Sequence, residues 1–390
     1  MTPHRSIAAV FAVHGAVSGS LATRLPWLQD RLDLSPGVLG LVLLCPSVGA
    51  FAGMPMASRL AYRVGSRVAT RLLLALWCSL LLLPALAPAL PPLLAVMLLY
   101  GATAGMCDVV MNAHGVTVER HLRRPIISGL HGMWCVGSLL AGGVGVLAAQ
   151  ARVDARLHLG AVSLALLLVG LYAGRGLLAD APADRQGSPP RRFALPGRAI
   201  AAIGLVGFCG TFAEGASANW AAVYLTKVAH AGPGVAAASY TLFMLCMAVT
   251  RLAGDRLVAR FGPVPVVRCG GALAVTGGVL VVLARTPALG VTGFALLGVG
   301  TATIVPLVFA AAGDAGPTPG EGVAGVATIT YLSGLTAPAV TGWTAGALSY
   351  PAAFALITGV ALLMALTAGA LRPKPAAVAA EPAVAVPTGS

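Results

Sequence analysis

Residues 58–65 read S-R-L-A-Y-R-V-G, and residues 255–262 read D-R-L-V-A-R-F-G. Each copy follows one long apolar run and precedes another. Arg59 answers to Arg256, Leu60 to Leu257, Arg63 to Arg260 and Gly65 to Gly262, all at one constant offset. The same offset carries Gly37 onto Gly234, Gly101 onto Gly298 and Gly137 onto Gly334. A register that holds without a gap makes the chain two halves built alike. Doubled apolar halves point to a secondary transporter.

Composition agrees. Of 390 residues, 58% are hydrophobic and only 9% charged, too few charges to cover a soluble protein of this size. Apolar stretches of about 20 residues recur, the length that crosses a bilayer as helix. The signal is continuous runs, not the short alternation of a transmembrane β-barrel. The first run starts at once and has no small-residue cleavage site, so no removable signal peptide is expected. The seven cysteines lie inside apolar runs without metal-ligand spacing, and no structural disulfide is expected. The net charge of +13 fits arginine-rich loops beside anionic lipid better than nucleic acid.

The expected fold is an all-α membrane protein with twelve transmembrane helices in two pseudo-symmetric six-helix bundles. The spans fall at about 7–27, 37–57, 68–88, 93–116, 126–149 and 157–178, then at about 198–220, 234–252, 264–284, 288–312, 323–348 and 352–371. Residues 1–178 make the first bundle and 198–371 the second. Residues 179–197, with Pro189, Pro190, Arg191 and Arg192, read as a polar cytoplasmic linker. Residues 372–390, rich in Ala, Pro and Val, read as a disordered tail.

Arginine and lysine set the expected orientation. Arg59, Arg63, Arg67, Arg71, Arg120, Arg123, Arg124, Arg251, Arg256, Arg260 and Arg268 fall on the side of the two termini. Far fewer basic residues, Arg24 and Arg31 among them, fall on the other side. Both termini are therefore expected in the cytoplasm of a multi-pass cytoplasmic-membrane protein. The loop with Asp314 and Glu321 dissents, having no basic residue.

Two six-span halves, a central polar loop and basic loops after spans two and eight resemble the major facilitator superfamily over nearly the whole chain. In its loop signature a glycine, an acid, an arginine and a second glycine recur. The first copy keeps Arg63, Gly65 and Arg67 but has Ser58 and Tyr62 at the first glycine and the acid. The second keeps Gly254, Asp255, Arg256 and Gly262. Within the superfamily, G-M-C-D-V-V-M-N at 105–112, with Val118, Glu119, Arg120, Pro125, His131 and Gly137, is similar to the YbjJ-like group of bacterial inner-membrane proteins. So are Glu214, Gly215, Ala216, Trp220, Tyr224 and Leu225. That group is related to the fucose–proton symporter branch, which carries an acid four residues before an asparagine in span four. Asp108 and Asn112 occupy that pattern. The resemblance implies transport of a small molecule coupled to protons.

An intramembrane carboxylate is costly unless paired, hydrated or protonated, and by default marks function. Asp108 therefore reads as a proton-coupling site with His131, or as a hydrogen-bond clamp between spans four and five. Gly101, Gly105, Asp108 and Asn112 share one helical face, and the glycines admit a close neighbour. Glu214 on span seven is the second acid, with Arg24 as candidate counter-charge. Substrate contacts are expected from Asn112, Arg24, Trp134, Asn219, Trp220, Tyr331 and His14. Several have plain alternatives: interfacial anchoring for Trp220, snorkelling for Arg24, packing for Tyr331 and His14. Arg59, Arg63, Gly65, Asp255, Arg256, Arg260 and Gly262 are assigned to a cytoplasmic gate, or to topology alone.

No phosphate-cradling loop, zinc spacing or nucleophile elbow is visible, so no enzyme activity, cofactor or metal is expected. The partners implied are a small-molecule substrate, protons and the lipid bilayer, with no nucleic acid and a monomeric chain. Proton symport of a small polar solute such as a sugar is the leading reading. Proton-driven efflux of a small amphipathic compound and a non-transporting sensor of the same fold stand beside it.

Overall fold

The computed structural model describes residues 1–34, 36–180, 197–231, 233–316 and 318–373. Nearly all of the proposed linker and tail lie outside these residues. The first half holds α1 (Pro3–Ala22), α2 (Leu25–Arg31), α3 (Pro36–Val64), α4 (Ser66–Leu80), α5 (Leu83–Leu86), α6 (Leu90–Leu122), α7 (Ile127–Gln150) and α8 (Ala155–Arg175). The second half holds α9 (Arg198–Lys227), α10 (Pro233–Phe261), α11 (Pro263–Leu283), α12 (Pro287–Thr301), α13 (Ile304–Ala315), α14 (Pro319–Ala347) and α15 (Tyr350–Thr367). Among the described residues, 11 helical stretches are long and apolar enough to cross a membrane, with α12 and α13 counted as one. The 29-residue α10 is a further long helix. Together they give the expected two sets of six.

Helix starts follow local chemistry. Thr2 caps α1 ahead of Pro3, Thr318 caps α14 ahead of Pro319, and Ser349 caps α15. Each side-chain oxygen accepts an N–H that the first turn would leave unpaired. The repeated loop is explained at one residue per half. Gly65 alone joins α3 to α4 and Gly262 alone joins α10 to α11, with φ of 87° and 80°. A side chain at either site would be strained, since only glycine adopts that region freely.

Large apolar side chains lie on the outside: Leu140, Leu157, Trp343 and Leu366 are 68–77% exposed. Lipid tails accept such surface as readily as a protein core does, so packing must come from close backbone approach. α6 lies against α3, α1 against α7, and α9 against α14. At the α3–α6 contact, a Cβ on Gly101 would fall inside the carbonyl and Cα of Pro46. Gly101→Ala is expected to force the helices apart and cost about 1–3 kcal/mol or more. Size-exclusion profiles of the variant in detergent check this. A monodisperse peak with wild-type thermal stability would refute the tight contact.

Several helices depart from the sequence boundaries. The first span breaks after Ala22, and Trp27 sits on the separate α2. The third breaks after Leu80 and the tenth after Thr301. α6 and α10 instead run on past their expected ends at 116 and 252, to Leu122 and Phe261. Arginines near a terminal turn mark a boundary in hydropathy but do not stop a helix whose backbone stays hydrogen-bonded.

Candidate functional site

Asp108 sits 14 residues before the end of α6, about 21 Å along the helix axis. It is deeper than the sequence boundary implied. Its side chain is almost fully buried from bulk solvent but lines a central cavity. Asn112, one turn on, turns its Nδ2 back to the Asp108 carbonyl at 2.9 Å and to Oδ1 at 3.1 Å. That leaves Asn112 Oδ1 as an acceptor, so His131 Nε2, 2.9 Å away on α7, must donate to it. From the second half, the Tyr331 hydroxyl of α14 donates to Asp108 Oδ2 at 2.8 Å. One carboxylate thus joins the two bundles, with an imidazole behind it.

His14 has a different part. Trp134 Nε1 donates to His14 Nδ1 at 3.0 Å, and His14 Nε2 lies 3.3 Å from the Ala104 carbonyl. Indole can only donate, so the proton is on Nε2 and the ring is neutral. Both nitrogens are occupied in holding Trp134 at the cavity wall.

In the second half, both oxygens of Glu214 accept from Arg251 Nη2, at 3.1 and 2.9 Å. Arg251 also donates through Nε to the Ala302 carbonyl at 2.9 Å and through Nη1 to Cys135 Sγ at 3.2 Å. Ala302 lies at the α12–α13 break, where a carbonyl leaves the helical ladder. Cys135 belongs to α7, so Arg251 reaches across the bundles as well. The expected Glu214–Arg24 pair does not form. Glu214 stands near the middle of α9, whereas Arg24 bonds His158 Nδ1 on α8. Arg251, placed by the sequence among the loop arginines, is a buried side chain at mid-helix.

The cavity has a volume of about 520 Å³, within the usual range for small-molecule sites. Asp108, Glu214, His131, Trp134, Tyr331 and His14 line it, as do Arg251, Trp77, Tyr100, Thr211 and Ser333, which the sequence reading did not assign to it. Four expected contacts lie elsewhere. Asn112 is fully buried behind Asp108. Arg24 turns to α8. Trp220 packs on Tyr350, with ring centroids 6.3 Å apart, and Asn219 is exposed. The latter two sit past the middle of α9, and neither lines the cavity.

The cavity extends toward Leu21, Ala22, Leu25 and Leu43, away from the face bearing the two termini. On the terminal face the halves are tied together. Asp255 accepts from the N–H groups of Ser128 and Gly129 at 2.9 and 2.7 Å. Glu119 accepts from Ile126 and Ile127 at 2.6 and 3.1 Å. Two carboxylates therefore satisfy the open N-terminus of α7, where negative charge is favoured. Arg120 pairs with Asp314 at 2.6 Å across the same seam, which accounts for the acidic loop. Of the assigned gate arginines, Arg59 is half-buried, while Arg63, Arg256 and Arg260 are exposed. Arg260 rests over the Phe261 ring. Among the described residues, an ion pair across this seam is made by Arg120.

Two helical halves thus share a central cavity lined by residues of both. Residues 203–388 match the Major Facilitator Superfamily. The chain is 32% identical over 375 residues to the uncharacterized transporter y4wD of Sinorhizobium fredii, covering 95% of this chain and 99% of that one. It is 31% identical over 363 residues to an uncharacterized MFS-type transporter of Yersinia pestis, covering 93% and 94%. Its fold is similar to the outward conformation of FucP, the E. coli fucose:proton symporter. The TM-score is 0.77 at 16% identity, covering 96% of this chain and 99% of that one. The chain belongs to the major facilitator superfamily and is a multi-pass membrane transporter.

Proposed function

We propose that this transporter couples protons to the movement of a small solute across the cytoplasmic membrane, as a monomer with both termini in the cytoplasm. The observation that carries the reading is the Tyr331–Asp108 hydrogen bond between the two bundles at the cavity wall. Protonating Asp108 removes the charge that Tyr331 and Asn112 serve, so proton occupancy bears on how the halves are held. Glu214, paired with Arg251 inside its own half, is the second acidic group of the pathway. The exposed arginines of the terminal face support the orientation. The seam contacts of Asp255 and Arg120 would part when the cavity opens to the cytoplasm.

A small polar solute such as a sugar fits the aromatic walls and the paired charges. The apolar flank of Leu21, Leu25, Leu43, Met97 and Phe309 favours a second reading, proton-driven efflux of a small amphipathic compound. That Asp108 and Glu214 both border the cavity speaks for transport over a sensor role.

The test starts with a thermal-shift screen of sugars against hydrophobic cations on the purified protein. The best ligand is then followed in proteoliposomes with an imposed pH gradient. Accumulation that collapses with a protonophore is expected. Transport that equilibrates the solute equally well with and without the gradient would refute coupling.

A further inference from the structure

Each cavity acid is tied to the opposite half. Asp108 makes its tie directly, through Tyr331 of α14. Glu214 makes its tie through Arg251. The guanidinium gives Nη2 to both Glu214 oxygens and Nη1 to Cys135 Sγ of α7, 3.2 Å away. Its Nε is held by the Ala302 carbonyl, which fixes the plane of the fork. The backbone of the same residue is also held from the other half, since Ser128 Oγ donates to the Arg251 carbonyl at 2.8 Å. One turn on, Asp255 takes the Ser128 and Gly129 N–H groups. Arg251 therefore stands where the α7–α10 seam meets the cavity, with one arm on a cavity acid and another on the facing helix.

Packing does not require this arrangement. By the repeat offset Arg251 answers to Met54 and Cys135 to Leu332. The sister seam between α3 and α14 thus has apolar residues at both positions. A buried guanidinium carries a desolvation cost that such residues do not. Sulfur is a weak acceptor, so the bond to Cys135 can yield within a transport cycle. The bonds to Glu214 fix where the guanidinium points.

We infer that Arg251 is a positioning residue that carries the state of Glu214 to the α7–α10 seam. The inference rests on the reading that this seam parts when the cavity opens to the cytoplasm. With Glu214 holding Nη2, the fork aims Nη1 at Cys135 and the seam stays shut. A solute or proton that draws Glu214 away turns the fork, frees Cys135 and lets α7 leave α10.

The experiment labels reporter cysteines with a maleimide in the purified full chain, the native cysteines other than Cys135 being replaced by serine. Labelling needs neither solute nor pH gradient. A failure here therefore leaves proton coupling untouched, and a failure of coupling leaves this result readable. Val116→Cys reports the seam, because Val116 is 2% exposed and lies against Gly313 of α13. Ala22→Cys reports the opposite mouth, where Ala22 is exposed at the cavity. Each reporter is combined with Cys135→Ser, which keeps an acceptor, and with Cys135→Ala, which does not. Relative to Cys135→Ser, Cys135→Ala should speed labelling at Val116→Cys about five-fold, the size of one hydrogen bond, and leave Ala22→Cys no faster. Glu214→Asp keeps the charge but shortens the reach. It should speed the seam reporter in the Cys135→Ser chain and add nothing in the Cys135→Ala chain. If Glu214→Asp does not fold, Arg251→Lys, which keeps the charge without the fork, replaces it in the same comparison. Equal seam rates for Cys135→Ser and Cys135→Ala would overturn the inference. So would acceleration of both reporters together, the mark of general loosening. An additive effect of Glu214→Asp would separate Glu214 from the seam and overturn it as well.

Discussion

Asp108→Asn is expected to fold, to exchange solute across the membrane, and to lose accumulation driven by a pH gradient. The reason lies in the hydrogen bonds. The carboxylate accepts from Tyr331 on one oxygen and from Asn112 on the other. An amide keeps one acceptor for Asn112 and offers its NH₂ to the Tyr331 oxygen, which can accept as well as donate. A protonated carboxyl would make the same pair of contacts. The variant is therefore locked in the shape of the proton-loaded transporter, with little cost in packing. Each unit of pH gradient is worth about 1.4 kcal/mol per coupled proton, a factor of about ten in accumulation. The variant should forfeit that factor while counterflow under equal concentrations continues. The measurement compares both activities in the same proteoliposome preparation. Wild-type accumulation with full pH dependence in Asp108→Asn would end the assignment of coupling to this residue.

The duplication made the fold legible before any coordinates. A repeat offset needs only that glycines, arginines and apolar runs keep register, and Gly65 and Gly262 show why they must. The same offset also held a clue to the site that hydropathy hides. Asp108 answers to Val305, Glu214 to Val17, and Arg251 to Met54. Each of these charged residues breaks the symmetry, and all three meet at the cavity. Arg251 was obscured because it stands close in sequence to loop arginines, and boundary placement by composition cut α10 short. Arg24 misled for the opposite reason. Depth along the first span put it near Glu214 in height, but its direction around the axis sends it to α8. Which way a side chain points around a helix depends on where the helix breaks, and hydropathy does not register the break at Thr23. The pairing of Tyr331 with Asp108 needs the two halves docked, which no local pattern encodes.

Glu214→Gln should be the most destabilising single change at the cavity, more so than Arg251→Gln. In the pair, the Arg251 side chain is 5% exposed and that of Glu214 22%. Removing the carboxylate strands a guanidinium that cannot deprotonate among apolar helices. Loss of one partner of a buried pair costs about 3–5 kcal/mol, and the cavity-facing side of Glu214 puts this case near the lower end, about 3 kcal/mol. Against a typical total of about 5–15 kcal/mol, that is a large fraction. Arg251→Gln also drops the bonds to Ala302 and Cys135, yet the carboxylate left behind can take up a proton and shed its charge. Combining the two substitutions removes both charges at once, so the double variant should be more stable than Glu214→Gln alone. Such non-additivity is the signature of direct coupling between neighbours. Thermal unfolding of the four proteins in one detergent completes the cycle. Strictly additive losses would mean that the two side chains are held independently. Arg251 would then be fixed by the α12–α13 break and Cys135, and Glu214 would be free to act on solute without it.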